Sequence, residues 1–290
     1  MNQLPWRALL LPQIEGNPVY NAINLGASPT GGGTTGSGTA DAQSGSFLTV
    51  VNTLPGSVWL CPSDGTNGDG RMPCCTATGQ WPAYVQPNVM GVTTIPVTNY
   101  QGSFGDNFSG VNCCTPWETP WGVTPPLGQN RLGYPGFWGS LWGPPPGLAP
   151  LGGSLRGIFD CYTQQKCALN SVTDGTSNTI MVGEDLPSRQ GGNAFWSFNE
   201  ATTGTTVPMN WNTNSYPANG PGCFGGWEML SPLGCRFSSG RKGFKSFHPG
   251  GANFLFTDGS VHFLKQSINL FTYNALGSRA GGEVISSDAY

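Results

Sequence analysis

Residues 247–264 read FHPGGANFLFTDGSVHFL, and they decide how the last third of the chain is built. The runs NFLF and SVHFL are rich in β-forming side chains, and Thr257-Asp258-Gly259 stands between them. Asp-Gly between two such runs is a strong short-range hairpin signal. The tight turn it favours needs positive φ at its central residues, which Gly259 takes freely and Asp258 tolerates. Pro249-Gly250-Gly251 lets the chain swing into the first strand and sets His248 just ahead of it; His262, the second of two histidines, lies on the returning strand. The whole stretch thus has a conformational explanation. A catalytic reading would make His248 a base and Asp258 its orienter, with a thiol or serine as nucleophile. It lacks any G-x-S-x-G elbow, H-E-x-x-H or local cysteine signature, so no enzyme is expected and no catalytic residue is assigned.

Working outward, composition sets the class. The 45 Gly and 25 Pro of 290 residues are close to the level at which aperiodic sequences become loop-rich. Against disorder stand 10 Trp, 15 Phe and 8 Tyr, rings that remove much apolar surface from water when they pack. These features predict a folded, loop-heavy, mostly β protein. Charge is scarce at 9% of residues, with a net value of -3 and a pI near 5.3. A small basic patch, RFSSGRKGFK, does not amount to the electrostatic footprint of a nucleic-acid binder, and none is expected.

Nine cysteines fit an oxidising compartment better than a reduced one. Cys161 with Cys167 and Cys223 with Cys235 would close short loops and are the preferred disulfide pairs, leaving Cys61, Cys74, Cys75, Cys113 and Cys114 as an odd set with one thiol over. Repeated C-x2-C or Cys/His pairs at zinc spacing are not present. No cofactor is expected beyond calcium, for which DGTNGDG offers Asp64, Asn67 and Asp69; the spacing is not that of an EF-hand, and a plain hydrophilic turn explains it more simply. GGGTTGSGT lacks the Gly-Lys-Ser/Thr ending of a phosphate loop.

Along the chain, Met1–Leu11 has too short an apolar run for a signal peptide or membrane helix. Asn17 and Pro18 suit the start of a short amphipathic helix with Val19, Tyr20 and Ile23 on one face. Residues 26–45 read as a Gly-rich loop, and residues 101–153 as an insertion rich in Trp, Pro and Gly. Its rings, with Trp81 before it, either staple loops to the core or form an exposed aromatic surface. In VTDGTSNTIMVGED, Asp174 begins a turn and Ile180–Val182 a strand.

Several segments carry a resemblance. His248 to Gly259 fits an H-x9-D-G signature, and FHPGGANFLFTDGSVHFLKQSI is similar to the C-terminal region of the DUF1559 family of prepilin-like bacterial proteins. WRALLLPQIEGNPVYNAIN, CPSDG and VTDGTSNTIMVGE resemble, in order, three further elements of that family, the last containing Asp174, Gly175, Asn178 and Glu184; GGEVISSD fits as well. The resemblance implies an exported protein at the cell surface or outside the cell: a single head domain over residues 1–290, α+β and β-rich, pilin-like, with an antiparallel sheet, a C-terminal β-hairpin, few short helices and long Gly/Pro-rich loops. Family members carry an N-terminal hydrophobic helix that this sequence lacks, which implies a trimmed head or a member working without it; membrane attachment would run through that helix alone. The expected function is structural: self-association as a homopolymer, or joining other pilin-like subunits of a type II secretion or type IV pilus-like assembly. The alternative is a secreted module that binds carbohydrate through exposed Trp, with calcium in support.

Overall fold

The computed structural model describes residues 6–22, 53, 57–65, 68–73, 94–106, 156–159, 167–190, 202–205, 208–210, 243–286 and 290. Four α-helices are seen among them, α1 (Trp6–Leu10), α2 (Asn17–Ala22), α3 (Pro187–Gln190) and α4 (Leu270–Gly277). The strands are β1 (Arg71–Pro73), β2 (Thr94–Pro96), β3 (Tyr100–Ser103), β4 (Ile180–Glu184), β5 (Thr202–Thr203), β6 (Gly251–Phe256) and β7 (Val261–Lys265). β1 and β2 form a small antiparallel ribbon; the other five make one sheet in the order β5-β3-β4-β6-β7. The architecture is α+β with a mixed sheet. The expected antiparallel sheet is corrected at one place, where β5 runs parallel to β3, a pairing that needs a long crossover and leaves no local sequence signal.

The C-terminal hairpin forms where the Asp-Gly signal places it, with Leu255 opposite Val261 and Gly251 opposite Lys265. Its turn differs from the two-residue form. Only Gly259 has positive φ (90°), while the amide of Gly259 donates to the Phe256 carbonyl and that of Phe256 to the Ser260 carbonyl. This is a three-residue loop closed by a glycine bulge, and Asp258 contributes its side chain rather than an unusual backbone: its Oδ1 accepts from the Ser260 amide (2.9 Å) and hydroxyl (2.6 Å). Those bonds hold its exposed carboxyl below the usual range.

Alternation along β6 sends Ala252, Phe254 and Phe256 to one face, where they meet Ile180, Phe244, Leu264 and, from α4, Tyr273 and Leu276. Asn269 caps α4 by accepting from the amides of Phe271 and Thr272. Within β4 the register slips between Ile180 and Val182. A strand has a side-chain period of two, so Ile180 and Gly183 would face opposite ways; the bulge restores both to the core side. Gly183 is where Phe244 and Phe254 meet edge to face at 5.1 Å, and a Cβ there would lie 2.5 Å from Phe244 Cδ1 and 2.6 Å from Phe254 Cε1.

Two buried arginines tie the periphery to the sheet. Arg7 on α1 donates to the Tyr100 carbonyl (2.6 Å) and to Gln101 Oε1 (3.1 Å), and burial lowers its guanidinium to about 9. Arg156 holds buried Asp106 through two bonds, at 2.6 and 3.2 Å, and reaches Glu283 of the C-terminal tail at 2.8 Å. Burial pushes Asp106 up to about 6 against the pull of Arg156.

Other expectations meet the structure as follows. Within the expected insertion over residues 101–153, residues 101–106 are buried in or beside β3 and residues 107–153 lie outside the described residues. α2 forms at Asn17, but none of its residues is buried and Ile23 lies outside the described residues. Lys245, at the end of the basic run, is buried with its ammonium on the Gly243 carbonyl. Residues 26–45 and the loop tryptophans at 81, 117, 121, 138 and 142 lie outside the described residues.

Two substitutions test these packing arguments. Gly183→Ala overfills the Phe244–Phe254 contact and lowers the urea midpoint by an equivalent of about 1–3 kcal/mol, with the m-value unchanged. Arg156→Met strands the Asp106 carboxylate and costs about 3–5 kcal/mol at pH 8. A carboxyl whose folded pKa exceeds its unfolded one stabilises most at low pH and loses that contribution as pH rises through the folded value, so the loss in Arg156→Met is smaller at pH 5 than at pH 8.

Candidate functional site

The bulge that turns Gly183 inward turns the next side chain, Glu184, to the opposite face of the sheet. There Glu184 is held by its neighbour on β6: Oε2 accepts the Asn253 amide at 2.8 Å and Oε1 the Asn253 side-chain amide at 3.1 Å. His248, delivered just ahead of β6, sets Nε2 at 3.2 Å from Glu184 Oε1. Its own amide donates to Ser246 Oγ at 3.1 Å, and its ring meets Phe263 of β7 edge to face.

A third segment completes the cluster. Cys61 Sγ lies 3.4 Å from His248 Nε2 and 3.5 Å from Glu184 Oε1, and Ser63 Oγ lies 2.9 Å from that sulfur and 3.3 Å from the same nitrogen. The C-P-S-D turn is closed by the Asp64 amide on the Cys61 carbonyl. Its place against the sheet is fixed by Asn99, just ahead of β3. Asn99 Oδ1 accepts the Cys61 amide (3.0 Å), and its side-chain nitrogen donates to Asp64 Oδ2 (2.7 Å) and the Asp185 carbonyl (2.9 Å). Its backbone carbonyl accepts the Asp185 amide at 2.7 Å. One buried amide thus joins the cysteine loop to the end of β4. Cys61 and Glu184 are buried, while His248 keeps 32% of its side chain exposed and gives the cluster a side open to solvent. Burial and the nearby Cys61 and Glu184 raise the Tyr100 phenol above its ordinary value.

Of the residues singled out in the sequence, Glu184 and His248 come together here. Asp258 and Gly259 do not; a six-residue strand, roughly 20 Å, separates them from His248, so Asp258 does not orient it. They meet the D-G-T-S-N-T segment instead: the amides of Thr257 and Asp258 donate to the carbonyls of Thr179 and Thr176. Asp174 accepts from the Gly281 and Gly282 amides, Gly175 takes a φ of 100° at the start of that turn, and Asn178 Oδ1 accepts from Tyr290. These residues are joints between the hairpin, β4 and the tail. Of the calcium trio, Asp64 Oδ2 accepts from Asn99 at 2.7 Å, Asp69 accepts the Arg71 amide at 3.0 Å, and Asn67 lies outside the described residues.

Of the expected Cys161–Cys167 pair, Cys167 is a free thiol turned toward Ser171 Oγ (3.4 Å). Cys61 is free as well, and Cys161, Cys223 and Cys235 lie outside the described residues. Sequence reasoning missed Cys61, Ser63, Asn99 and Asn253 as site residues; only the first two had a signal, their place in the C-P-S-D element.

The cluster draws one side chain from each of three elements that carry the family resemblance. A protein-family model described as "Protein of unknown function (DUF1559)" matches residues 1–270. The chain belongs to the DUF1559 family. No curated protein and no solved structure matches it. In this DUF1559 member the motif residues divide into joints, at Asp174, Asn178 and Asp258, and a convergent heteroatom cluster at Cys61, Glu184 and His248.

The role of Asn99 is testable. Asn99→Ala removes three side-chain bonds, destabilises the fold by about 2–4 kcal/mol, and frees the cysteine loop. Alkylation followed by peptide mass mapping then shows faster modification of Cys61 than in the parent, with Cys167 unchanged.

Proposed function

We propose that the chain is the head of an exported, prepilin-like structural protein that associates with copies of itself along the β7 side of its sheet. The observation that carries this reading is the hairpin's outer face. β7 is hydrogen-bonded to β6 alone among the described strands, which leaves one row of backbone groups at an edge. Val261 and Phe263 are 65% and 47% exposed, next to half-buried Leu255. An edge strand flanked by apolar side chains is a template for pairing with another chain unless something blunts it. Lys265 at its end is the one charged residue of the strand.

Charge poverty supports the same reading, because with 12 basic and 15 acidic residues in 290 little long-range repulsion opposes contact between copies. The H-x9-D-G corner is then architecture: Asp258 and Gly259 shape the hairpin, and Thr176 and Thr179 dock it. Export rests on the family's prepilin-like character; the two free thiols at Cys61 and Cys167 add nothing to it. No reaction is assigned, and no observation on the described residues favours a glycan-binding surface.

Sedimentation across a concentration series tests the proposal. The parent chain associates reversibly, and Phe263→Lys raises the dissociation constant at least about thirtyfold, the equivalent of about 2 kcal/mol at an interface hot spot. A parent that stays monomeric to its solubility limit, or a Phe263→Lys chain that associates as well as the parent, overturns it.

A further inference from the structure

We infer that Cys61, Glu184 and His248 form a binding site for one zinc ion. A tetrahedral zinc with Zn–S near 2.3 Å and Zn–N and Zn–O near 2.0–2.1 Å separates its ligand atoms by about 3.5 Å for sulfur to nitrogen or oxygen, and by about 3.3 Å for nitrogen to oxygen. The three edges observed are 3.4 Å (Sγ to Nε2), 3.5 Å (Sγ to Oε1) and 3.2 Å (Nε2 to Oε1). One sulfur, one imidazole nitrogen and one carboxylate oxygen therefore already stand at three corners of a zinc tetrahedron.

The rival explanation is a thiol–imidazole–carboxylate relay. A relay needs both nitrogens of the ring, one facing the nucleophile and the other the carboxylate. Here the same nitrogen, Nε2, faces Cys61 Sγ, Glu184 Oε1 and Ser63 Oγ. A single ring nitrogen carries one proton or one lone pair and cannot serve three partners at once. One sulfur, one nitrogen and one carboxylate oxygen within 3.5 Å of one another form an arrangement that a cation resolves.

The surroundings meet the other requirements of a zinc site. Glu184 is oriented by two bonds from Asn253, and the Cys61 loop is fixed by Asn99, so two of the three ligands have outer-shell support. Partly exposed His248 supplies a route of entry. Three protein ligands leave the fourth position to water, with the Ser63 hydroxyl beside the sulfur and the nitrogen to hold it. On binding, the Cys61 thiol gives its proton to solvent, so affinity rises with pH. The site does not depend on self-association. It clamps segments 123 and 187 positions apart in the chain, so binding stabilises the folded state at long range.

The test uses the full chain, reduced and stripped of metal, titrated with zinc against a chromophoric chelator, and in parallel with cobalt(II). The parent binds one tight equivalent, melts at higher temperature with zinc, and with cobalt shows a thiolate charge-transfer band and the intense visible bands of a tetrahedral ion. Cys61→Ala loses the equivalent and the charge-transfer band although the other cysteines remain. Asn253→Ala weakens binding about 10–100-fold, and His248→Gln weakens it by more. His248→Gln changes a partly exposed side chain, so it answers the question if Cys61→Ala does not fold. Three results overturn the inference: no tight equivalent in the folded parent, undiminished affinity in His248→Gln, or a thiolate–cobalt band that survives in Cys61→Ala.

Discussion

An extra residue in β4 governs what each face of the sheet holds. Without the slip between Ile180 and Val182, the strict alternation of a strand would put Ile180 and Gly183 on opposite sides, and either the isoleucine would leave the core or a bare glycine would face outward. With it, Gly183 lets Phe244 and Phe254 close over the strand from within, and Glu184 emerges on the other side beside Asn253. The core and the heteroatom cluster are two consequences of one irregularity, which agrees with the way bulges collect where a side chain must be re-aimed.

The same sheet separates two kinds of polar residue. Asp174, Asn178, Thr179 and Asp258 spend their hydrogen bonds on backbone groups and on the tail, fastening the hairpin turn to β4 and to residues 281–282. Cys61, Glu184 and His248 are different, because their Sγ, Oε1 and Nε2 atoms face one another at 3.2–3.5 Å. A zinc ion at that point and a structural, self-associating head are compatible, since a structural metal does for a loop-rich protein what a disulfide does elsewhere. In a chain whose two described thiols are both free, that role is open.

How far the sequence reaches depends on how local the physics is. The hairpin was legible because Asp-Gly and its flanking β-formers act within a dozen residues, although the turn type was not, since Asp258 satisfies itself through its side chain and keeps negative φ. β4 was legible for the same reason. The parallel β3–β5 pair and the burial of residues 101–106 depend on partners far along the chain. Asn99 sits in an unmarked VTNY stretch, yet it fixes the Cys61 loop. His248 was visible as a motif residue, but its working partner is Glu184 and not the nearby Asp258, because a strand carries Asp258 away. Spacing along the chain says nothing of which distant heteroatoms a bulge will bring together.

The central claim is that a slipped strand assembles one sulfur, one nitrogen and one carboxylate oxygen around a common point. X-ray absorption at the zinc edge of the loaded, reduced protein measures that assembly directly. The account predicts a shell of a single sulfur near 2.3 Å with nitrogen and oxygen neighbours near 2.0–2.1 Å. A shell with two or more sulfurs, or with none, would contradict it.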